Sequence, residues 1–159
     1  MNQQLLNAVL QPDLSALKRL IQAEVDLNDR DDTGRTVLMH AVIDGISETV
    51  QLLLESGALP NLQDKSGFTA LHFAAQNYCI EAARLLLQGG ANVDVCDDFG
   101  NTPLGKAVYG SKGRGEMILM LLEAGADPLR KNLSGVSPAE LAQRIANYDV
   151  RQFLSKSSG

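Results

Sequence analysis

Three leucine-rich runs punctuate the chain: Leu52-Leu53-Leu54, Leu85-Leu86-Leu87 and Met120-Leu121-Leu122. Each is closed by a glycine, at Gly57, Gly90 and Gly125. An apolar run ending at a glycine predicts a helix that stops there, because glycine takes the left-handed backbone at low cost. Ahead of each run lies a shorter helical stretch carrying small residues, such as Ala74-Ala75, that permit close stacking. It opens at Thr36, Thr69, Thr102 or Ser137, hydroxyls placed to accept orphan amides at a helix start. Pro103 and Pro138 follow directly, where a first turn tolerates proline. The pattern predicts pairs of helices.

The pairs recur. Gly34, Gly67, Gly100 and Gly135 stand 33, 33 and 35 residues apart, and Ala41, Ala74, Ala107 and Ala142 keep the same steps. The period is therefore 33, with two extra residues in the third internal repeat. A two-helix unit is too small to bury its own apolar face, so neighbours must stack into one continuous core. Between units, the segments 57–67 and 90–100 are expected to project as hairpin-like turns. Asp31, Asp64 and Asp97 recur at one turn position. Recurrence argues for capping of the turn backbone, since a catalytic carboxylate needs to occur only once.

The unit D-x-x-G-x-T-x-L-x-x-A, then a leucine run, then G-A-x-x-N/D, resembles the ankyrin repeat. It is read in Asp31-Asp32-Thr33-Gly34-Arg35-Thr36-Val37-Leu38, Asp64-Lys65-Ser66-Gly67-Phe68-Thr69-Ala70-Leu71-His72 and Asp97-Asp98-Phe99-Gly100-Asn101-Thr102-Pro103-Leu104. Val37 and Ala70 stand where the family has proline, and Met39 and Gly105 where it has the histidine that His72 keeps. The resemblance implies an all-α ankyrin repeat solenoid of about five stacked helix-turn-helix units, one domain over 1–159. Its parts are an N-terminal capping unit at 1–30, internal repeats at 31–63, 64–96 and 97–131, a C-terminal capping unit at 132–154, and a frayed tail at 155–159. In the first cap Leu5, Ala8 and Val9 share a face, and Val25-Asp26-Leu27-Asn28 follows the second helix without the family's glycine. In the last, Tyr148, Val150, Phe153 and Leu154 are expected to pack inward, with Gln143, Arg144, Arg151 and Gln152 outward.

Composition narrows the partners. The 159 residues are 45% hydrophobic and 21% charged, the balance of one globular domain. Lys plus Arg number 14 against 19 Asp plus Glu, a net charge of −5 that should repel nucleic acid and anionic membranes. No run approaches the roughly 18 to 20 apolar residues of a membrane span. Met1-Asn2-Gln3-Gln4-Leu5-Leu6 shows no leader pattern. Only Cys79 and Cys96 occur, too few for a disulfide framework. A cytoplasmic monomer is expected.

Catalytic constellations are scarce. His40 and His72 are the two histidines; the resemblance gives His72 structural hydrogen bonds between units, and His40 is expected nearer the surface. Neither cysteine has visible low-pKa surroundings, and burial is the expected reading. No metal-ligand spacing is present. Gly105-Lys106-Ala107-Val108-Tyr109-Gly110-Ser111-Lys112 approaches a phosphate-binding loop, but it ends G-S-K and starts inside a helix. No catalytic residue, cofactor or metal is expected; a hydrolase built on His40 or Cys79 is the competing enzyme reading.

The resemblance implies a partner protein met by hairpin tips and the concave face of the first helices. Carried over, the tips supply Arg30, Asp32, Thr33 and Arg35, then Lys65, Ser66 and Phe68, then Asp98, Phe99 and Asn101. Helix ends add Ile43, Asp44, Gln76, Asn77 and Tyr109, and the last tip adds Lys131, Leu133 and Val136. The segment 109–116, where the period breaks, is expected to be a mobile loop, either a bland surface insertion or one that brings Lys112 and Arg114 into contact with a partner. Phe68 and Phe99 fall at positions expected to face solvent, and exposed aromatic rings are common interface anchors. With Tyr109 they form the expected centre of the patch. Ser137-Pro138-Ala139-Glu140-Leu141-Ala142 and Ile145-Ala146-Asn147-Tyr148-Asp149 are similar to the closing unit of small stand-alone bacterial ankyrin proteins, some of them immunity proteins. This implies an inhibitor, and an acidic one suits a basic toxin. With no second domain expected, recruitment through a tail is set aside; a cytosolic adaptor or regulatory subunit is the alternative.

Overall fold

Each hydroxyl at the head of a first helix accepts a hydrogen bond from the amide three residues on. Thr36 caps Met39 at 3.4 Å, Thr69 caps His72 at 3.4 Å, Thr102 caps Gly105 at 3.3 Å and Ser137 caps Glu140 at 3.2 Å. Such caps are each worth about 1 kcal/mol. The computed structural model describes residues 1–11, 13–145 and 149–154. Among these, ten helices form five pairs and no strand occurs. The pairs are α1 (Gln3–Leu10) with α2 (Leu14–Gln22), α3 (Val37–Ile43) with α4 (Ser47–Glu55), α5 (Ala70–Asn77) with α6 (Ile80–Gln88), α7 (Pro103–Gly110) with α8 (Glu116–Glu123), and α9 (Pro138–Arg144) with α10 (Arg151–Leu154). We number the pairs as units one to five.

First helices stack on first helices, from α1 to α9, and second helices do the same from α4 to α10. Ala41, Ala74, Ala107 and Ala142 are fully buried between the stacked first helices, where a larger side chain would wedge them apart. The middle member of each leucine run, Leu53, Leu86 or Leu121, is fully buried, and its flanking apolar neighbours are half-buried against the same core. In the end units, Leu5, Ala8, Val9 and Val150 are buried as expected, while Gln143, Arg144, Arg151 and Gln152 are exposed. Tyr148 and the tail 155–159 lie outside the described residues.

The tips between units are built from one repeated device. The Oδ1 of Asp31 accepts from the amides of Thr33 and Arg35, that of Asp64 from Ser66 and Phe68, and that of Asp97 from Phe99 and Asn101. Asn132 repeats the pattern with Ser134 and Val136. Capping of the turn backbone, expected from recurrence, is what these carboxylates do. Each tip then joins the next: Lys65 donates to Thr33 O at 3.0 Å, Asp98 to Ser66 O at 3.1 Å, and Leu133 to Phe99 O at 2.9 Å. A second ladder runs behind the second helices, where Asn28 accepts from the Leu59 amide and Asn61 from the Asn92 amide.

The segment 109–116 is not a free loop. Helix α7 continues through Gly110, Glu116 begins α8, and only 111–115 remain between them. The Tyr78 hydroxyl, from unit three, donates to the Arg114 carbonyl, and the Arg114 guanidinium lies 4.0 Å from the Tyr78 ring centroid. Burial pushes the Tyr78 phenol up to about 12. Tyr78 sits in left-handed backbone at φ 59°, one period after Gly45 at φ 70°. That conformation costs a non-glycine residue about 1 kcal/mol, and the contacts to Arg114 offset it. Tyr78→Phe is expected to lower stability by about 1 kcal/mol in urea denaturation and to speed amide exchange across 111–115.

Candidate functional site

The expected patch separates into residues that knit units together and residues that face outward. Phe68 belongs to the first group, which corrects its expected exposure. Its ring is half-buried, 5.3 Å from His72 and 5.1 Å from Phe73 between centroids, with the Lys106 ammonium 4.4 Å from its centre. Arg35 covers the neighbouring Phe73 ring at 4.9 Å and lies 3.5 Å from the Asp64 carboxylate. A cation–aromatic ladder thus runs from Arg35 through Phe73 and Phe68 to Lys106, crossing three units. Asn101 is half-buried as well, hydrogen-bonded to Asp97 and to Asn132 of the next tip.

Lys106 also reaches the buried Asp97 carboxylate at 2.7 Å. Burial alone would raise that carboxyl, but the Lys106 ammonium and the Asn101 amide and side chain outweigh it and hold it below its ordinary value. His40, expected nearer the surface, occupies the register position of Lys106 and turns back onto Asp31 at 2.8 Å. Burial opposes ionisation of Asp31 too, yet donors from Thr33, His40 and the Arg35 amide leave it far below the usual carboxylate range. The same pairing in two units ties each turn to the first helix of its own unit.

His72 is fully buried. Its Nε2 lies 3.0 Å from the Asn101 carbonyl, which can only accept, so Nε2 carries the proton. Nδ1 therefore accepts from the Thr69 amide at 3.1 Å. Burial lowers its pKa and keeps the ring neutral. Both nitrogens are spent on the turn of their own unit and the backbone of the next. Cys79 and Cys96 are half-buried free thiols, and burial pushes the Cys79 thiol up. Gly105 to Gly110 lie within α7, so their amides form no phosphate cradle. Among the described residues no group of three or more acidic, His or Cys side chains is placed to hold a metal, and no helix is long and apolar enough to cross a membrane.

The outward group is larger. Arg30, Asp32, Thr33, Asp44, Lys65 and Ser66 are exposed. So are Gln76, Asn77, Asp98 and Lys112, whereas Arg114, though exposed, is held against Tyr78 and joins units three and four. Ile43 and Val136 are half-buried, and exposed Lys131 lies 3.5 Å from Glu140. Four large apolar side chains stand out at the later units: Phe99 is 67% exposed, Tyr109 77%, Leu129 69% and Leu133 81%. Phe99 and Leu133 occupy adjacent, backbone-bonded tips, and Tyr109 ends the first helix of unit four.

Beside them lies a groove of about 500 Å3, bordered by Gln76, Lys106, Tyr109 and Leu141. A smaller cavity of about 180 Å3 between units four and five shares Asn101, Gly105, Asn132 and Leu141 with it. Sequence reasoning did not assign this feature. Its signal was the departure at Gly105, which leaves bare the register position filled by His72 one unit earlier.

A model of the ankyrin repeats family, built on three copies of the repeat, matches residues 5–95 and 48–132. No curated protein matches the chain.

Proposed function

Since the chain belongs to the ankyrin-repeat family, whose repeats are protein–protein interaction modules, we propose that it acts by contact alone, binding and blocking one partner protein as an inhibitor or immunity protein does. The observation that carries this reading is the exposure of three large apolar side chains, with Phe99 and Leu133 on adjoining, backbone-bonded tips and Tyr109 lining a groove on the first-helix side. Large apolar groups clustered on a surface are unfavourable in water and are what a partner covers. The centre of the patch moves from Phe68, which the stack consumes, to Leu133.

Charge supports a basic partner. Residues 1–63 hold nine acidic and four basic side chains, so most of the negative field sits on the first two units and would steer a cationic surface toward them. Of the pair named for a hydrolase, the Cys79 thiol is half-buried with its pKa raised by burial, and both ring nitrogens of the other histidine, His72, are engaged in structural bonds, which favours the binding reading over one built on His40 or Cys79. The free thiols of Cys79 and Cys96 suit a cytoplasmic site of action.

The test is parallel capture from the native cell with the wild-type chain and with a Phe99→Ser/Tyr109→Ser/Leu133→Ser variant. We expect one protein to be retained by the wild type and at least about tenfold less by the variant, whose denaturation midpoint stays unchanged. Adding the wild-type chain should also silence that protein's own activity. Undiminished retention would remove the reading; retention without silencing would favour the adaptor.

A further inference from the structure

Gly105 is the third residue of α7, where the equivalent positions are Met39, His72 and Glu140. His72 and Glu140 each complete a capping box, and His72 also bridges to the next unit. Gly105 does neither. Crowding does not exclude a side chain there: an added Cβ would stand 3.9 Å from Thr102 Oγ1 and 4.0 Å from the Asn101 Cβ, and the glycine φ is not in the left-handed region. A bare position inside a helix costs about 1 kcal/mol against alanine. What it leaves open is the cavity between units four and five.

The rim of that cavity is cationic. Arg130 and Arg144 both line it, and among the described residues neither has an ion-pair or hydrogen-bond partner for its guanidinium. Among the described residues no aspartate or glutamate lines the cavity or the adjoining groove. The sign is local: residues 97–159 carry eight basic and seven acidic side chains, in a chain whose net charge is −5. Guanidinium groups pair with carboxylates in two-pronged fashion, which adds geometric selectivity. Tyr109 and Leu141 supply an apolar wall on the groove side.

We propose that the cavity and groove take an extended acidic segment of the partner protein, with an Asp or Glu side chain seated between Arg130 and Arg144 and an apolar neighbour against Tyr109 and Leu141. This rests on the reading of the chain as a protein-binding module and names the chemistry of one part of the partner. That partner is then bipolar, basic where it faces units one and two and acidic at this groove.

The test pans a displayed library of random ten-residue peptides against the wild-type chain and measures the enriched peptides, synthesised with blocked ends, by fluorescence polarisation. Enriched sequences are expected to hold Asp or Glu beside Leu or an aromatic residue. Their Kd should rise at least about tenfold in Arg130→Gln and in Arg144→Gln, both substitutions of exposed side chains. Gly105→Leu, which fills the cavity, should have the same effect. Gly105→Ala should raise the denaturation midpoint and still weaken binding, which separates occlusion from misfolding. Enrichment of neutral or basic sequences, no enrichment, or equal binding by wild type and arginine variants would overturn the proposal. So would phosphoserine versions binding more than tenfold tighter than the Asp or Glu peptides, since the ligand would then be a phosphorylated segment. A partner captured through Phe99, Tyr109 and Leu133 while no acidic peptide is enriched would remove only this inference.

Discussion

Gly67→Ala should destabilise the chain by about 3 kcal/mol, measured as a fall in the urea midpoint. Two penalties combine. Gly67 has φ +77°, a backbone that costs an alanine about 1 kcal/mol or more. Its added Cβ would also stand 2.7 Å from the Asp98 nitrogen and 2.9 Å from the Asp97 carbonyl carbon, atoms of the adjoining tip that no rotamer change can move. Relief requires the tips to part, which breaks the bond from Asp98 to Ser66 O. Gly135 provides the control, with φ +73° and nothing within 4 Å of an added Cβ. Gly135→Ala should cost only about 1 kcal/mol, the backbone penalty alone. Equal losses at the two positions would show that tip-to-tip contact contributes nothing.

Lys106→Met should cost about 3 kcal/mol, because it leaves the buried Asp97 carboxylate without its counter-charge. It also takes the ammonium from the face of Phe68. Adding Asp97→Asn should recover part of the loss, since the paired charge is then gone from both sides. The pH dependence follows from the lowered pKa of Asp97. A carboxyl whose folded value lies below its unfolded value of about 4 stabilises the fold above that pH. The contribution fades as pH falls from about 4 through the folded value. Asp97→Asn should therefore flatten the acid limb of the stability profile, and an unaltered limb would place the acid-sensitive group elsewhere.

The parts legible in the sequence are those set by bonds inside one unit. Thr69 caps a helix three residues on, and Asp64 bonds amides two and four residues on, so both roles recur with the period. The parts that escaped depend on the unit next door. Phe68 looked exposed because its own turn gives no sign of Lys106, which reaches it from the following repeat. The turn at 111–115 looked free because its anchor, the Tyr78 hydroxyl, lies 36 residues before Arg114. The cavity was visible only as a missing side chain at Gly105. A motif comparison registers that as a departure and not as a space.

The two extra residues of unit four carry a wider lesson. They are absorbed wholly between α7 and α8, and the following tip resumes its bond to Phe99 as though nothing had been inserted. Length is thus tolerated where the chain turns from the first helix of a unit to the second, while the tips keep their spacing. Such an architecture can acquire new surface by lengthening one kind of bend, leaving the spacing of every other storey untouched.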